Sequence, residues 1–385
     1  MKLALQLAHK NLIGSGLRTW LNVGVLSLAY VVIILYNGMI DGWNQQAKRD
    51  SIAWEYGKGH LLHADYDPYD PFTLQDGHGK LPKGKSQNLT PILIRQASIY
   101  PQGRMISVSL KGIATEQSTL KLPTNFLKKS KASIPGIIGE RMATSANLTE
   151  GDQVLLRWRD KNGTFDAADI TIAGIFDTDV PTVDGGQIWI PIEKLWEMTG
   201  LTEHATMFIA GNSYQHELQE EWNFRSQEDL LKELNDIIAM KKISGSIMYF
   251  LLLAIALLAI FDTQVLSIFR RQKEIGTYIS LGMTRWQVVW LFTIEGSMYS
   301  ILATILGSIY GIPLFVYLTK KGIGMPVASQ DMGIAVAERI FPVYGIGLIL
   351  STIVLVVASA TLVSFLPARK IAKMDPVDAL KGKLQ

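Results

Sequence analysis

The sequence predicts an α-helical integral membrane protein with four transmembrane helices and a large mixed α/β extracytoplasmic domain inserted between helices 1 and 2. Three observations predict it. Four stretches are apolar over the roughly 20 residues that a bilayer crossing takes. The charged fraction is 18%, against roughly 25% in soluble chains, and the mean hydropathy is +0.19. Basic residues gather beside alternate spans, which sets an orientation. The net charge of +3 is too small to argue for nucleic acid as a partner, and the absence of cysteine excludes disulfides and thiolate metal sites.

Residues 1–18 read as a cytoplasmic lead-in and 19–40 as the first span, uncharged between Arg18 and Asp41. Its apolar run exceeds the ~7–15 residues of a secretory signal and no small-x-small cleavage site follows, so it reads as a retained anchor. Residues 41–242 form the outer domain with a stalk helix, and 243–261 the second span. Residues 262–285 are a cytoplasmic connection, 286–319 a third span carrying one acid, Glu295, and 320–339 an outer loop. The fourth span is 340–366 and the cytoplasmic tail is 367–385. Lys2, Lys10 and Arg18, then Arg270, Arg271, Lys273 and Arg285, then Arg369, Lys370, Lys373, Lys381 and Lys383 lie on one side. Both termini and the middle connection are therefore expected in the cytoplasm, although Lys320, Lys321 and Arg339 oppose the bias.

Within the outer domain, "GKLPKGKS" (79–86) fits the phosphate-binding loop pattern letter for letter. That loop needs a strand before it and a helix after it. The preceding "YDPYDPFTLQDGH" is unlike a buried strand, and Pro91 follows where a helix should run. A Lys/Gly-rich surface loop is the better reading. "VLLRWR" (154–159) and "ITIAGIF" (170–176) read as strands joined through "DKNG", whose Asn-Gly pair is typical of tight hairpins. "IWIPIEKLWEMTG" reads as a strand, then a short helix opened by Pro191 and closed by Gly200. Ser226 and Asp229 resemble a capping box before a helix with Leu230, Leu231, Leu234, Ile237 and Ile238 on one face. No strong breaker except Gly245 precedes Gly276, so one rod is expected from the outer domain to the cytoplasmic connection.

His60 and His63, close to Asp65, Asp67 and Asp70, fail the calcium-loop pattern, and no metal is expected there. The "NLT" sequons at Asn88 and Asn147 and "NGT" at Asn162 are too short to weigh. His204 and His216 read as surface residues. No catalytic constellation can be argued from spacing. Glu295 is an acid inside an apolar run, costly enough to imply either a role or snorkelling to the interface. Gly307 and Gly311 form a small-xxx-small pair suited to close helix packing, within the subunit or between subunits.

The most informative stretch is "IFRRQKEIGTYISLGMTRWQVVWLFTIEG". It resembles the cytoplasmic coupling region of permeases of the MacB/FtsX/LolC–LolE superfamily of ABC transporters, through Arg271, Glu274, Ile275, Gly276, Leu281, Gly282, Thr284, Val288, Glu295 and Gly296. "AHKNLIGSGLRTWLNVGVLSLA" is similar to that family's amphipathic lead-in. "LPARKIAKMDPVDALKG" is similar to its tail, through Pro367, Ala368, Asp375, Pro376, Ala379 and Leu380. In the outer domain, "GKGHLLHADYDPYDP" and "IIGERMATSANLTEGDQVLL" look closest to the lipoprotein-releasing LolC/LolE branch. Asp179 departs from that branch, standing where it usually has Gly in "F-x-T-G".

The resemblance implies a non-catalytic subunit in a bacterial inner membrane, its large domain periplasmic. ATP and Mg would be held by a separate cytoplasmic ATPase dimer, and this chain would carry no cofactor. Arg271, Glu274, Ile275, Gly276, Leu281, Gly282 and Met283 would form the ATPase-coupling segment. A second permease chain, the same or homologous, would complete the complex. Mechanotransmission through the stalk would release lipoproteins from the outer leaflet, with a periplasmic carrier as a further partner. The alternatives are MacB-like export of peptides or antibiotics and FtsX-like signalling to a cell-wall hydrolase, although FtsX-type outer domains are usually smaller.

Overall fold

The computed structural model describes residues 17–80, 88–215, 220–324 and 339–373. Residues 1–16 of the lead-in, 81–87 of the loop match, His216, the greater part of the 320–339 loop and the tail from 374 lie outside the described residues. Two compact units divide the chain. One comprises Met1–Gly42, Ile238–Ile323 and Phe341–Gln385, the other Trp43–Ile237 and Gly324–Ile340.

In chain order the first helix, α1, is Leu17–Ser51. The strands β1 (Gly59–His63), β2 (Leu89–Ile99) and β3 (Ile106–Ile113) follow, then α2 (Asn125–Lys129) and β4 (Pro135–Gly139). Next come α3 (Glu140–Ala146), β5 (Gln153–Arg159), β6 (Phe165–Phe176), α4 (Pro181–Asp184), β7 (Gln187–Pro191) and α5 (Ile192–Thr199). Strands β8 (Met207–Ala210) and β9 (Trp222–Ser226) lead to α6 (Gln227–Leu230) and the 39-residue α7 (Lys232–Arg270). The chain closes with α8 (Gln272–Ser280), α9 (Arg285–Lys321) and α10 (Ile346–Ala368).

The α/β unit is built on one nine-stranded sheet. Strand β2 pairs β3 along one edge and, along the other, β8 at Leu89–Ile92 and β5 at Ala97–Ile99. With β3–β7, β7–β4, β4–β6 and β6–β5 also paired, six strands close into a barrel from which β8, β1 and β9 extend. Closure leaves those six strands without a free edge. Strand β5 alternates exposed and buried residues along its whole length, and its inward Val154, Leu156 and Trp158 join Leu93, Leu110 and Ile188 in the barrel core. A second core lies on the opposite face of the sheet, where Trp54, Leu122 and Val183 cover Ile92, Ile137 and Trp189.

Several local expectations are refined. The β5–β6 connection is wider than a two-residue hairpin. Gly163 has φ +79° and Asn162 does not have positive φ, while the Asp160 carboxylate accepts from the N–H groups of Asn162 and Thr164. Pro191 ends β7 and is the N-cap of α5, which Gly200 closes at φ +72°. The Ser226–Asp229 capping box is present, but it caps only the single turn of α6, and α7 starts afresh at Lys232 after Leu231. Asp179 does not have positive φ, so the position usually filled by Gly has no need of one here. The fourth helix starts at Ile346 rather than near 340. Pro342 lacks an N–H to continue a ladder, and Gly345 is extended as N-cap.

The loop match has neither flank that nucleotide binding requires. Gly79 bridges Ala205, Lys80 pairs with Glu203 at 3.3 Å, and β2 begins at Leu89 where a helix would be needed. His204, read from the sequence as a surface residue, is half-buried, its Nδ1 2.9 Å from that of His78. His60 is buried with Nε2 3.0 Å from the Glu55 carbonyl oxygen, and His63 is buried against Trp222. Among the described residues, no group of three or more His, Asp or Glu side chains converges to hold a metal.

These histidines make the α/β unit acid-sensitive. Burial pushes the His60 ring down to about 4. Burial and then the Arg95 guanidinium take His78 down to about 4, and burial lowers His204 in the same direction. Between the ordinary histidine value of 6.5 and about 4, the unfolded chain takes up protons that these rings refuse. Stability is therefore lost as pH falls through that window, with about 3 kcal/mol from His60 alone. Asp184 runs the other way, because burial lifts it to about 6 against the Arg141 guanidinium 3.0 Å away, and it offsets part of the loss. The unfolding temperature, followed by tryptophan fluorescence, is expected to drop between pH 7 and 5. His60→Gln, whose amide still donates to Glu55, should flatten that slope.

The helical unit is held by one buried stripe per helix. Helix α7 buries Leu253, Ala256, Ile260, Gln264 and Ile268 at three- and four-residue spacing. Helix α9 buries Gly296, Ser300, Ala303, Gly307 and Gly311, and α10 buries Thr352, Val356, Ala360 and Ser364. Small side chains on these stripes let backbones approach. Gly307 and Gly311 both face α1 of the same chain, opposite Ser27 and Val31. Gly245, far from breaking α7, packs against the Tyr36 ring, whose hydroxyl donates to the Lys241 carbonyl at 3.0 Å. Among the described residues, four helices are long and apolar enough to cross a membrane.

Candidate coupling site at the α7–α8–α9 junction

The single rod expected to reach the 262–285 connection is α7, which ends inside that connection before Gly276. Helix α7 stops at Arg270, and Arg271 leaves helical geometry at φ −105°, ψ 20° before α8 resumes at Gln272. Neither Gly nor Pro causes the break. At the break the Arg271 side chain turns inward and is held from two elements. Its Nη1 donates to both carboxylate oxygens of Glu295 at 2.9 Å, and its Nε donates to Glu274 at 2.8 Å. The guanidinium also lies over the Phe292 ring, 4.8 Å from its centroid. Its fork geometry suits such shared carboxylate contacts, and the stacked ring adds attraction to the cation.

Glu295 therefore does not snorkel. It is buried in α9 and paired 24 residues back along the chain. The seven coupling residues read from the sequence divide by face. Arg271, Ile275 and Gly276 turn inward, Ile275 being fully buried among Ile268, Val288, Val289 and Phe292, with Met283 half-buried against the same cluster. Glu274, Leu281 and Gly282 point outward, Glu274 with 54% of its side chain exposed and Leu281 at 79%. Gly282 takes φ +98°, a left-handed geometry that only Gly adopts without strain. It turns the chain into the Thr284–Gln287 capping box that opens α9. The outward surface of α8 is short, with Lys273, Glu274 and Thr277 at its start and the apolar tip of Leu281 at its end.

Sequence reasoning missed three contributors. Phe292 reads as one more apolar residue of a span. Gln264 and Ser364 are buried polar side chains beside Gly296, at the same level of the bundle, and their polarity inside apolar runs was the available signal. A Cβ on Gly296 would strike Ser364 and approach Gln264 Nε2 to 2.8 Å, whereas one on Gly307 would meet ordinary contacts of 3.4–3.7 Å. Gly296→Ala is therefore expected to destabilise by about 1–3 kcal/mol through overpacking. Gly307→Ala should be neutral or slightly stabilising through helix propensity. Thermal unfolding of the two purified variants in one detergent makes the comparison.

Residues 246–376 match the FtsX-like permease C-terminal family. The C-terminal part of this chain thus carries an FtsX-like domain, and the whole α7–α8–α9 junction falls within it. Over 203 residues the chain is 26% identical to the uncharacterized ABC transporter permease YknZ of Bacillus subtilis (strain 168), covering 52% of this chain and 46% of that protein. The chain spans about half the length of that relative. Two solved structures are each similar to part of this chain. The periplasmic region of MacB from Actinobacillus actinomycetemcomitans is 9% identical, with 47% of this chain and 94% of that one covered at a TM-score of 0.30. The extracellular domain of the noncanonic ABC-type transporter YknZ from Gram-positive bacteria is 12% identical, with 44% and 99% covered at a TM-score of 0.26. The FtsX-like domain, rather than these slight likenesses, carries the functional argument.

Proposed function

We propose that this chain is the membrane-spanning permease subunit of an ATP-driven ABC transporter, and that it works by mechanotransmission to release lipoproteins from the outer leaflet of a bacterial inner membrane. The observation that carries the reading is the junction in the FtsX-like domain. An exposed docking surface at Glu274 and Leu281 is tied through Arg271 to Glu295 in α9 and is contiguous in chain with α7. At 1.5 Å per residue α7 is about 58 Å long, roughly twice a hydrocarbon core. A helix of that length carries displacement past the membrane surface.

On this reading the four apolar helices span the membrane, both termini are cytoplasmic, and the α/β domain is periplasmic. A cytoplasmic ATPase dimer holds ATP and Mg and receives α8. A second permease chain, the same or homologous, completes the complex, and cargo passes to a periplasmic carrier. Support for the permease class comes from the family match and the YknZ relative. Support for lipoprotein cargo comes from the resemblance of the outer-domain motifs.

Mass spectrometry, lipid-modified peptides included, of the complex purified from native membranes without ATP tests both levels. Acylated lipoproteins together with a P-loop ATPase, released when ATP is added, are the expected result. An ATPase with a periplasmic adaptor or a cell-wall hydrolase, and no lipoprotein, would replace the cargo assignment by export or signalling. Absence of any ATPase would overturn the permease assignment itself.

A further inference from the structure

The α/β unit contains a cavity of about 110 Å³ on the sheet face opposite the barrel core. Its floor is apolar, formed by Leu62, Ile92, Ile94, Met207 and Ile209, with Trp189 as a wall. Tyr66 and Pro68, half-buried and exposed, lie at its rim. A floor of this kind would be filled by side chains if packing were its only purpose.

Charged groups of both signs reach the cavity without touching. The Lys111 ammonium lies 4.9 Å from the centre of the Trp189 ring and has no ion-pair or hydrogen-bond partner among the described residues. Burial lowers its pKa, and the Glu55 carboxylate opposes that shift from beyond ion-pair distance. Glu55 lines the same space, with Oε2 accepting from the Thr182 hydroxyl at 2.7 Å. The Tyr66 hydroxyl has no hydrogen-bond partner among the described residues. His60, its ring kept neutral by burial, adds no charge. One cation, one anion, a free hydroxyl and an apolar floor thus surround a space the size of a few non-hydrogen atoms.

We propose that this cavity binds a small apolar α-amino acid in its zwitterionic form. The carboxylate meets Lys111 and Tyr66, the ammonium meets Glu55, and the short side chain lies against Ile92, Ile94 and Ile209. Opposite charges held apart at one site match a ligand that carries both. A simple carboxylate would leave Glu55 facing a like charge, and an amine would leave Lys111 facing one. An engineered dry cavity of about 150 Å³ holds the six carbons of benzene with room to spare, so a cavity of about 110 Å³ takes alanine, with its six non-hydrogen atoms, and excludes valine and aromatic amino acids. The site is independent of the transport reading, since it involves neither the helical unit nor an ATPase.

Isothermal titration of the full chain in detergent tests it, with L-valine, L-alanine, L-phenylalanine, butyrate and propylamine as probes. Saturable binding of alanine is expected, with valine and phenylalanine excluded. Lys111→Met and Glu55→Gln should each weaken that binding at least about tenfold, the value of one lost charge-assisted contact. Glu55→Gln should at the same time improve butyrate binding. Ile209→Phe, which fills the floor and leaves every charge in place, should abolish binding without lowering the unfolding temperature. Butyrate bound as tightly as alanine and indifferent to Glu55→Gln would overturn the zwitterion assignment. No saturable heat from alanine with the folded protein would overturn the site.

Discussion

Replacing Glu295 with Ala is expected to destabilise the helical unit by about 3–5 kcal/mol, the largest effect of any single substitution considered for this chain. The substitution leaves the Arg271 guanidinium largely buried with two of its three hydrogen bonds gone, and breaking a buried pair costs that much because the remaining charge is uncompensated. Glu274 cannot make up the loss, since it engages Nε from the exposed side. Removing both charges should reverse much of the effect. In Arg271→Met/Glu295→Leu the volume is retained and no buried charge remains, an exchange that is often neutral or stabilising. Thermal unfolding of the single and double variants in detergent is the measurement. A single variant as stable as the parent would show that the Arg271–Glu295 pair does not hold the junction.

Glu274→Lys is expected to have the opposite profile, with a large loss of function and little loss of stability. Glu274 has more than half its side chain exposed, and its link to Arg271 is a surface ion pair worth at most about 1 kcal/mol. Arg271 keeps both bonds to Glu295, so the variant should fold with a nearly unchanged unfolding temperature. The charge reversal nevertheless lies on the outward face of α8, where the proposed ATPase would dock. In reconstituted complex, ATP hydrolysis should persist while coupled cargo release falls to background. Coupled release at the parental rate would remove Glu274 from the coupling role and move attention to Leu281, the remaining exposed apolar residue of that tip.

The two predictions divide along what the sequence could and could not disclose. Glu274, Leu281 and Gly282 were legible, because a short amphipathic segment between apolar runs, closed by a Gly, identifies itself locally. The inward orientation of Arg271 was not. Its role depends on Glu295, and nothing in a linear chain says which distant acid a basic residue will meet. The end of α7 at Arg270 was illegible for a related reason, since helix breaks are read from Gly and Pro and neither stands at this one. His204 was misplaced on the surface because its partner, His78, is 126 residues away.

The α/β unit repeats the pattern. Strands β5 and β6 could be read from alternation and the α6 cap from Ser226 and Asp229. The barrel could not, because closure requires β2 to pair with β3, β5 and β8 at once, and pairing is a property of distant segments. The sequence by itself determined four apolar helices, an α/β unit and a short amphipathic segment that resembles a family motif, since hydropathy over 20 residues and short motifs are local physical quantities. Only the tertiary structure decided that Glu295 binds Arg271, that Gly307 and Gly311 face α1 of their own chain, and that Lys111 and Glu55 border one cavity without touching. Each of those facts is a meeting between residues far apart in the chain, and only packing brings such residues together.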